Sequence, residues 1–321
     1  DQEKIIVLLL VPTIILQLSM VMSVTFDAQT KAASASIPYI LAPLVRAPLS
    51  IYVAIFGLGV YWLIYSRILR SLVLFLSFLY LFRNYSLKRP NLSYFKSYFN
   101  FAWKLFFYTM FATISLQISR LLIGIYDIDS LGVYTVVFAL ASFLFILPAS
   151  VKSLLFPTIS SLTNNNENIS RIKYYVEKSE TYISLLILPF LITIGFFSKH
   201  IITILVGEQF ISGSTALSLL CIWIYLDATK SPQGMQLIGM DKIGLNVVIG
   251  SFAILINITL NLLLIPEEIY GVKLFGMGME GAAISAISSG LFLAIAMRIA
   301  VYNLTNTKFN RKLLFHILAG F

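Results

Sequence analysis

Charged residues are scarce in this chain of 321 residues, in which Asp, Glu, Lys and Arg together make up 12%. A typical soluble domain carries roughly 25% charged residues, so this chain has too few solvated side chains to cover a soluble globular surface. Hydrophobic residues reach 59% and include 25 Phe and 17 Tyr, which excludes a disordered chain. A polytopic membrane protein remains.

Residues that bind metals or carry out nucleophilic chemistry are also few. A single cysteine, Cys221, excludes an internal disulfide and a thiolate metal cluster. The two histidines, His200 and His316, lie far apart in the sequence, so neither a metal site nor a cofactor is predicted. No GxxxxGKS/T, HExxH or GxSxG motif occurs, and we therefore expect that the chain is not an enzyme.

Long apolar windows predict an all-α, polytopic transmembrane helix bundle of about nine spans. The windows lie at 4–24, 36–57, 60–82, 101–125, 131–158, 178–197, 211–229, 243–265 and 278–302. The loops between them alternate in charge, because one set holds thirteen basic residues and the other set three. The basic set is predicted to be cytoplasmic, and the excess of 23 Lys and Arg over 14 Asp and Glu requires no nucleic-acid partner.

Four arginines fall deep inside the predicted spans, where no Asp or Glu is expected at a comparable depth: Arg46, Arg67, Arg70 and Arg120. A guanidinium at the centre of a bilayer costs at least ~2.5 kcal/mol, so these side chains should face protein or water rather than lipid. Two interpretations stay open. Each arginine could bond backbone carbonyls and set helix packing, or the four could line an aqueous cavity that receives an anion such as phosphate.

Polar residues accompany Arg120, the shallowest of these four arginines, along its helix. Thr109, Thr113, Gln117 and Arg120 recur at intervals of four, four and three residues, which places them on one face of the helix at 101–125. This face is predicted to line the cavity.

The other basic residues inside the windows lie nearer to the cytoplasmic ends. Lys104 and Arg298 are within about a turn of an end, so their side chains are expected to reach the headgroups. Lys152 lies further in, and both snorkelling and an interior position stay open for it.

Three segments resemble motifs of polysaccharide flippases. Residues 121–124 and 129–134 (LLIG and DSLGVY) resemble an "IG…LGxY" helix turn, residues 155–160 (LFPTIS) an "FPxxS" helix end, and residues 201–210 (IITILVGEQF) a short outer-face segment, "IIxLLxGxxF". Their order and positions at helix junctions identify the chain as similar to the MATE-like exporters of the multidrug/oligosaccharidyl-lipid/polysaccharide (MOP) superfamily. Within it, the chain resembles the polysaccharide biosynthesis or O-antigen flippase branch.

The resemblance covers nearly all of residues 1–312 and implies two lobes of helices. Residues 1–82 would be the last three helices of the first lobe, 83–100 a cytoplasmic linker between lobes, and 101–302 a six-helix second lobe. Residues 303–321 would form a cytoplasmic loop and the start of a further helix. About three N-terminal helices of the family fold would precede residue 1.

The function implied by the resemblance is translocation of a polyprenyl-diphosphate-linked oligosaccharide across the cytoplasmic membrane by alternating access. The lipid-linked diphosphate would enter a cationic cavity in which Arg120 is the first candidate ligand, followed by Arg46, Arg67 and Arg70. Membrane lipids are further partners, and a polysaccharide polymerase or glycosyltransferases are candidate protein partners.

Three alternatives remain. A drug or cation exporter of the same superfamily would require a buried carboxylate. A membrane enzyme acting on lipid-linked sugars would require acidic active-site residues or a sizeable exposed loop. A purely structural subunit of an export complex would leave the deep arginines unexplained.

Overall fold

The computed structural model describes residues 2–28, 32–83, 85, 95–163, 169–307, 310, 313 and 315–316. Within these ranges the chain is almost wholly helical. The helices are α1 (Gln2–Ala28), α2 (Ala32–Ile55), α3 (Val60–Phe82), α4 (Phe95–Tyr126), α5 (Ile128–Ser142), α6 (Ile146–Leu162), α7 (Ile169–Phe196), α8 (Ser198–Leu205), α9 (Ser214–Gly239), α10 (Ile243–Leu264) and α11 (Gly278–Thr305). A two-stranded antiparallel hairpin, β1 (Glu268–Ile269) and β2 (Val272–Lys273), joins α10 to α11.

Eight segments of the described residues are long and apolar enough to cross a membrane. One of them, Ile128–Leu162, is a continuous 35-residue segment in which a 3-10 turn at Phe143–Phe145 joins α5 to α6. Helix α4 covers the remaining predicted window, 101–125. The prediction of an all-α, polytopic bundle is confirmed.

The helices divide into two compact units, Asp1–Asn91 (unit 1) and Leu92–Phe321 (unit 2). Most of the predicted linker at 83–100, including Ser93, lies outside the described residues. Asn165, in another of the predicted cytoplasmic loops, also lies outside them. Helix α4 begins at Phe95, before the predicted start of its span.

Unit 1 consists of α1, α2 and α3, which pack around a small aromatic core. Phe26 and Phe78 are buried, with ring centroids 6.2 Å apart, and Phe82 contacts Phe26 edge-on at 5.1 Å. Lipid tails are as apolar as these rings, so close van der Waals contact rather than removal from water holds such helices together.

Unit 2 is built around α9, which packs against α7, α11 and α6. A close approach marks its end, where a Cβ added to Gly239 would lie 2.7 Å from Cγ2 of Ile159 in α6. The interval between the predicted windows 211–229 and 243–265 is helical for most of its length, because α9 continues to Gly239. Pro232 is tolerated inside α9 because Ser231 Oγ donates to the carbonyl of Ala228, 2.8 Å away, which the proline cannot bond.

The first segment of family resemblance forms the sharp turn between α4 and α5. The Asp127 carboxylate caps α5 by accepting from the backbone N–H groups of Asp129 and Ser130 at 3.1 and 3.2 Å. Hydrogen bonds from Ser130 hold the pKa of Asp127 below its usual value. Leu131 packs closely over this turn, since a Cβ added to Gly124 would lie 2.8 Å from its Cδ2.

Candidate functional site

The structure brings three of the four predicted arginines together in unit 1. Arg46 lies on α2, and its charge interacts repulsively with those of Arg70 and Arg67 on α3. The Nε atoms of Arg46 and Arg70 are buried and have no hydrogen-bond partner within the described residues. The side chain of Arg67 is exposed.

Small hydroxyl residues set the spacing of the two helices that carry these arginines. Ser50 Oγ on α2 and Ser66 Oγ on α3 lie 3.3 Å apart, and Ser66 is fully buried. Ser71, also fully buried, bonds its own helix at the carbonyl of Ile68, 2.8 Å away. Small side chains at a helix interface allow close approach of the backbones, so the longer arginines beside them remain near one another.

No ion pair neutralises the three arginines within the described residues of unit 1. The sequence of this unit contains three acids, Asp1, Glu3 and Asp27, of which the last two lie in the first and last turns of α1. Their side chains lie outside the described part of the chain. Unit 1 is therefore rich in positive charge along the middle of its helices.

Arg120 has a different environment in unit 2. Its guanidinium lies over the ring of Phe138, 4.9 Å from the centroid, which is the geometry of a cation–π contact. Thr113 and Gln117 are exposed, and so is Thr109. The hydroxyls of Thr109 and Thr113 donate to their own helix, at the carbonyls of Phe106 (3.0 Å) and Thr109 (2.8 Å). The grouping of Arg120 with the arginines of unit 1 stays a prediction.

A buried carboxylate in unit 2 accompanies Arg298, a basic residue that was predicted to lie near a cytoplasmic end. Glu180 on α7 is 0% exposed, and Arg298 Nη2 on α11 donates to its Oε2 at 3.0 Å. Gln233 on α9 donates to the other carboxylate oxygen at 2.9 Å. The expectation that Arg298 reaches the headgroups is therefore wrong, because its charge is satisfied inside the bundle.

A second ion cluster involves the middle of α9. Asp227 pairs with Lys230 at 2.8 Å and with Lys152 of α6 at 4.0 Å. Lys152 thus has an acidic neighbour within the bundle. Asp227 and Lys230 belong to one helix because α9 runs further than its apolar window.

The helical period of α7 was the signal that could have revealed Glu180. The buried positions of this helix include Ile172, Val176, Ile183 and Ile187, and Glu180 occupies the same stripe. An acid in a core-facing stripe requires a cationic partner. That stripe begins before the predicted start of the span at residue 178, which concealed the pattern.

No group of histidine, cysteine and acidic side chains in the described ranges is arranged to hold a metal ion.

Comparison with known proteins assigns the family. The family model described as "Polysaccharide biosynthesis protein" matches residues 2–215, two thirds of the chain. The chain belongs to this family. No curated protein sequence matches the chain.

Solved structures share the fold of this family member at low sequence identity. A structure titled "Lipid II flippase MurJ, inward closed conformation" is 14% identical with a TM-score of 0.65, over 95% of this chain and 69% of that one. "Crystal structure of MATE in the bent conformation" is 14% identical with a TM-score of 0.67, over 94% and 68%. "MATE transporter ClbM in complex with Rb+" is 15% identical with a TM-score of 0.52, over 92% and 65%.

The family match confirms the resemblance to a polysaccharide biosynthesis family, and the solved structures confirm a fold shared with MATE-like transporters. The chain is a multi-pass membrane protein, and its relatives in fold are a flippase and transporters.

Proposed function

We propose that the protein translocates a polyprenyl-diphosphate-linked oligosaccharide from the inner to the outer leaflet of the cytoplasmic membrane. The observation that carries the proposal is the cluster of Arg46, Arg67 and Arg70, which has no ion pair within the described residues of unit 1. Membership of a polysaccharide biosynthesis family supports a sugar-bearing substrate, and the fold of a lipid II flippase supports a lipid-linked one.

Arginine suits the diphosphate part of such a substrate. Its planar guanidinium donates two parallel hydrogen bonds to neighbouring oxygens of one phosphate, and it keeps its charge at all physiological pH values. The buried Nε atoms of Arg46 and Arg70 have no partner among the described residues, which leaves donors available for an anion. The mutual repulsion of the three arginines is relieved when a doubly charged group enters between them.

Translocation further requires that the site open to each side in turn. We propose residues 1–82 as the last three helices of a first lobe, 83–100 as a cytoplasmic linker and 101–302 as the six-helix second lobe. Arg120 would add a fourth cation from the second lobe, with Thr109, Thr113 and Gln117 beside it in the cavity. Contacts divided between lobes weaken as the lobes rock apart, so the substrate is released.

Drug or cation export is the second candidate, and the acids of unit 2 favour it. Glu180 and Asp227 supply carboxylates of the kind that such exchange requires. Each is held by basic side chains of the same unit at 2.8–3.0 Å. A carboxylate already neutralised in this way attracts a further cation weakly, so the flippase is favoured.

Reconstitution tests the flippase directly. The full-length protein is placed in proteoliposomes with a fluorescent polyprenyl-diphosphate oligosaccharide, and transfer is followed by accessibility to a quencher outside. Arg67→Ala should lower the rate by about tenfold or more, because each charge-assisted hydrogen bond contributes about 1.5–3 kcal/mol. Arg67→Lys should recover only part of the rate, since it lacks the bidentate fork.

Arg83→Ala is the matched control. Arg83 follows the same helix α3 and is exposed, with its guanidinium over the ring of Tyr80 at 4.1 Å. The Arg83→Ala variant should transfer the lipid at the same rate as the unaltered protein. Full transport by Arg67→Ala and Arg46→Ala would reject the proposal, and so would equal losses in Arg83→Ala and Arg67→Ala.

A further inference from the structure

Unit 2 contains a cavity of about 180 Å³, with a mostly apolar lining and a few polar groups, that none of the predicted site residues lines. Helices α4, α5, α9, α10 and α11 all contribute to it. Six residues define its two walls: Tyr134, Phe138 and Trp223 on the aromatic side, and Asp227, Lys230 and Asn257 on the polar side. Side chains of Asp227 and Lys230 retain 22% and 13% exposure, so the cavity is open rather than sealed.

The aromatic wall is held in a defined orientation. The ring centroids of Phe138 and Trp223 lie 5.9 Å apart, and Phe145 contacts Trp223 edge-on at 5.4 Å. Gly290 lies behind the indole, where an added Cβ would be 3.1 Å from Cδ1 of Trp223. A fixed aromatic face is available without a rearrangement, which lowers the entropic cost of binding.

The polar wall is equally well supported. Asn257 Nδ2 donates to Ser289 Oγ at 3.2 Å, and its Oδ1 accepts from Asn261 at 2.9 Å. Asn261 in turn donates to Ser119 at 2.9 Å. These bonds orient the amide of Asn257 at the cavity wall.

The charge on this wall argues against a simple ion site. Asp227 contacts Lys230 at 2.8 Å and Lys152 at 4.0 Å, so one carboxylate stands beside two ammonium groups. A metal cation would be repelled by the lysines, and an anion would compete with Asp227. Neighbouring donors and acceptors opposite an apolar ring suit a neutral polyol, whose hydroxyls donate and accept while its C–H face is apolar.

We propose that this cavity binds one sugar ring of the lipid-linked oligosaccharide, stacked against Trp223 with its hydroxyls bonded by Asp227 and Asn257. This inference rests on the proposed function. It adds a sugar subsite to the proposed diphosphate contacts of Arg46, Arg67, Arg70 and Arg120, so the diphosphate and its sugar are recognised by different sets of residues.

A comparison of two lipid ligands, one with the oligosaccharide and one without it, distinguishes binding at the sugar site from binding at the diphosphate site. The full-length protein is reconstituted in phosphatidylethanolamine–phosphatidylglycerol vesicles and titrated with polyprenyl diphosphate or with the polyprenyl-diphosphate oligosaccharide purified from its own cells. We expect the glycosylated lipid to bind about tenfold more tightly, the scale of one good aromatic contact. Trp223→Leu should remove this preference and leave the affinity for the bare lipid unchanged, whereas Trp223→Phe keeps a ring and most of the preference.

Trp62→Leu is the control, because Trp62 is half exposed in unit 1 and far in sequence from the cavity. It should alter neither affinity. A second measurement does not depend on the folding of Trp223 variants. Within these 321 residues, the variant Trp62→Phe/Trp103→Phe leaves Trp223 as the sole tryptophan, and the glycosylated lipid should change the fluorescence of Trp223 while the bare lipid does not.

The outcomes distinguish the two proposals. Equal affinities for both lipids, an unchanged preference in Trp223→Leu, or equal fluorescence changes would overturn the sugar subsite and leave the flippase standing. Failure of the unaltered protein to bind either lipid would overturn both. Arg67→Ala should weaken the binding of both lipids by the same factor, which distinguishes the diphosphate contact from the sugar contact.

Discussion

The two units hold their basic residues in opposite ways. In unit 2, Arg298 is bonded to Glu180 at 3.0 Å and Lys230 to Asp227 at 2.8 Å. In the described residues of unit 1, Arg46 has basic rather than acidic neighbours, and its Nε is buried without a partner. Both arrangements occur inside long apolar helices.

The difference teaches that the role of a charge inside a membrane protein depends on its partner rather than on its depth. A paired charge is part of the packing, because removal of either member leaves the other buried and unsatisfied. A cluster of like charges costs free energy until an anion arrives, so we propose that such a cluster is retained for binding. The stability of variants that remove one charge at a time shows whether each residue belongs to a packed ion pair or to a cluster of like charges.

The largest effect is expected from breaking the buried pair of unit 2. In Glu180→Ala, Arg298 loses its acid and Gln233 loses an acceptor, and the loss of one partner of a buried pair costs about 3–5 kcal/mol. Thermal unfolding in detergent, followed by tryptophan fluorescence, should show a markedly lower Tm.

The double variant Glu180→Leu/Arg298→Met removes both charges and should regain most of the lost stability. Glu177→Ala, one turn earlier on α7, serves as the control and should have a small effect. An unchanged Tm in Glu180→Ala would mean that Arg298 is satisfied without its acid, and the contrast between the units would disappear.

A smaller effect is expected at the more exposed cluster. Asp227→Asn leaves Lys230 and Lys152 without a counter-charge, but the cluster retains contact with solvent, so we expect a loss of about 1–2 kcal/mol. The same unfolding measurement applies. Asp241→Asn is the matched control, because Asp241 is exposed in a turn with φ 57°, a conformation that Asn also adopts. Equal losses in both variants would contradict the importance of the ion cluster.

The smallest effect on stability is expected in unit 1. Arg46→Met removes a charge that is repelled by Arg70 and Arg67, so stability should change by less than about 0.5 kcal/mol or rise slightly. Arg298→Met, the same substitution in unit 2, should lose several times as much. Similar losses in the two methionine variants would show that Arg46 has a structural partner, and would weaken its assignment to the substrate.

The sequence predicted the helices well and their ends poorly. Apolar composition alone locates a span, and every predicted window falls on a helix. The window at 211–229 ended before Lys230, yet α9 continues past this residue, and Asp227 neutralises the lysine one turn earlier. Pro232 also lies inside this extension of α9, where the hydroxyl of Ser231 bonds the carbonyl that the proline leaves free.

The candidate site was predictable in its residue types and less so in its grouping. Deep arginines on adjacent helices α2 and α3 were expected to share a cavity, and Arg46 does lie within electrostatic range of Arg67 and Arg70. The acid of Arg298 is 118 residues away in sequence, so no local pattern connects them. Such pairing depends on the rotation of each helix in the bundle, which hydrophobic periodicity specifies only coarsely.

The separation of Glu180 from its partners also has a consequence for biosynthesis. Gln233 follows Glu180 by 53 residues, and Arg298 follows Glu180 by 118 residues. At a translation rate of about 5–20 residues per second, the ribosome needs roughly 6–24 s to supply the arginine after the glutamate. During that interval α7 carries a carboxylate that the finished bundle will hide. We therefore expect nascent α7 to stay at the membrane interface, or bound to the insertion machinery, until α11 has been synthesised.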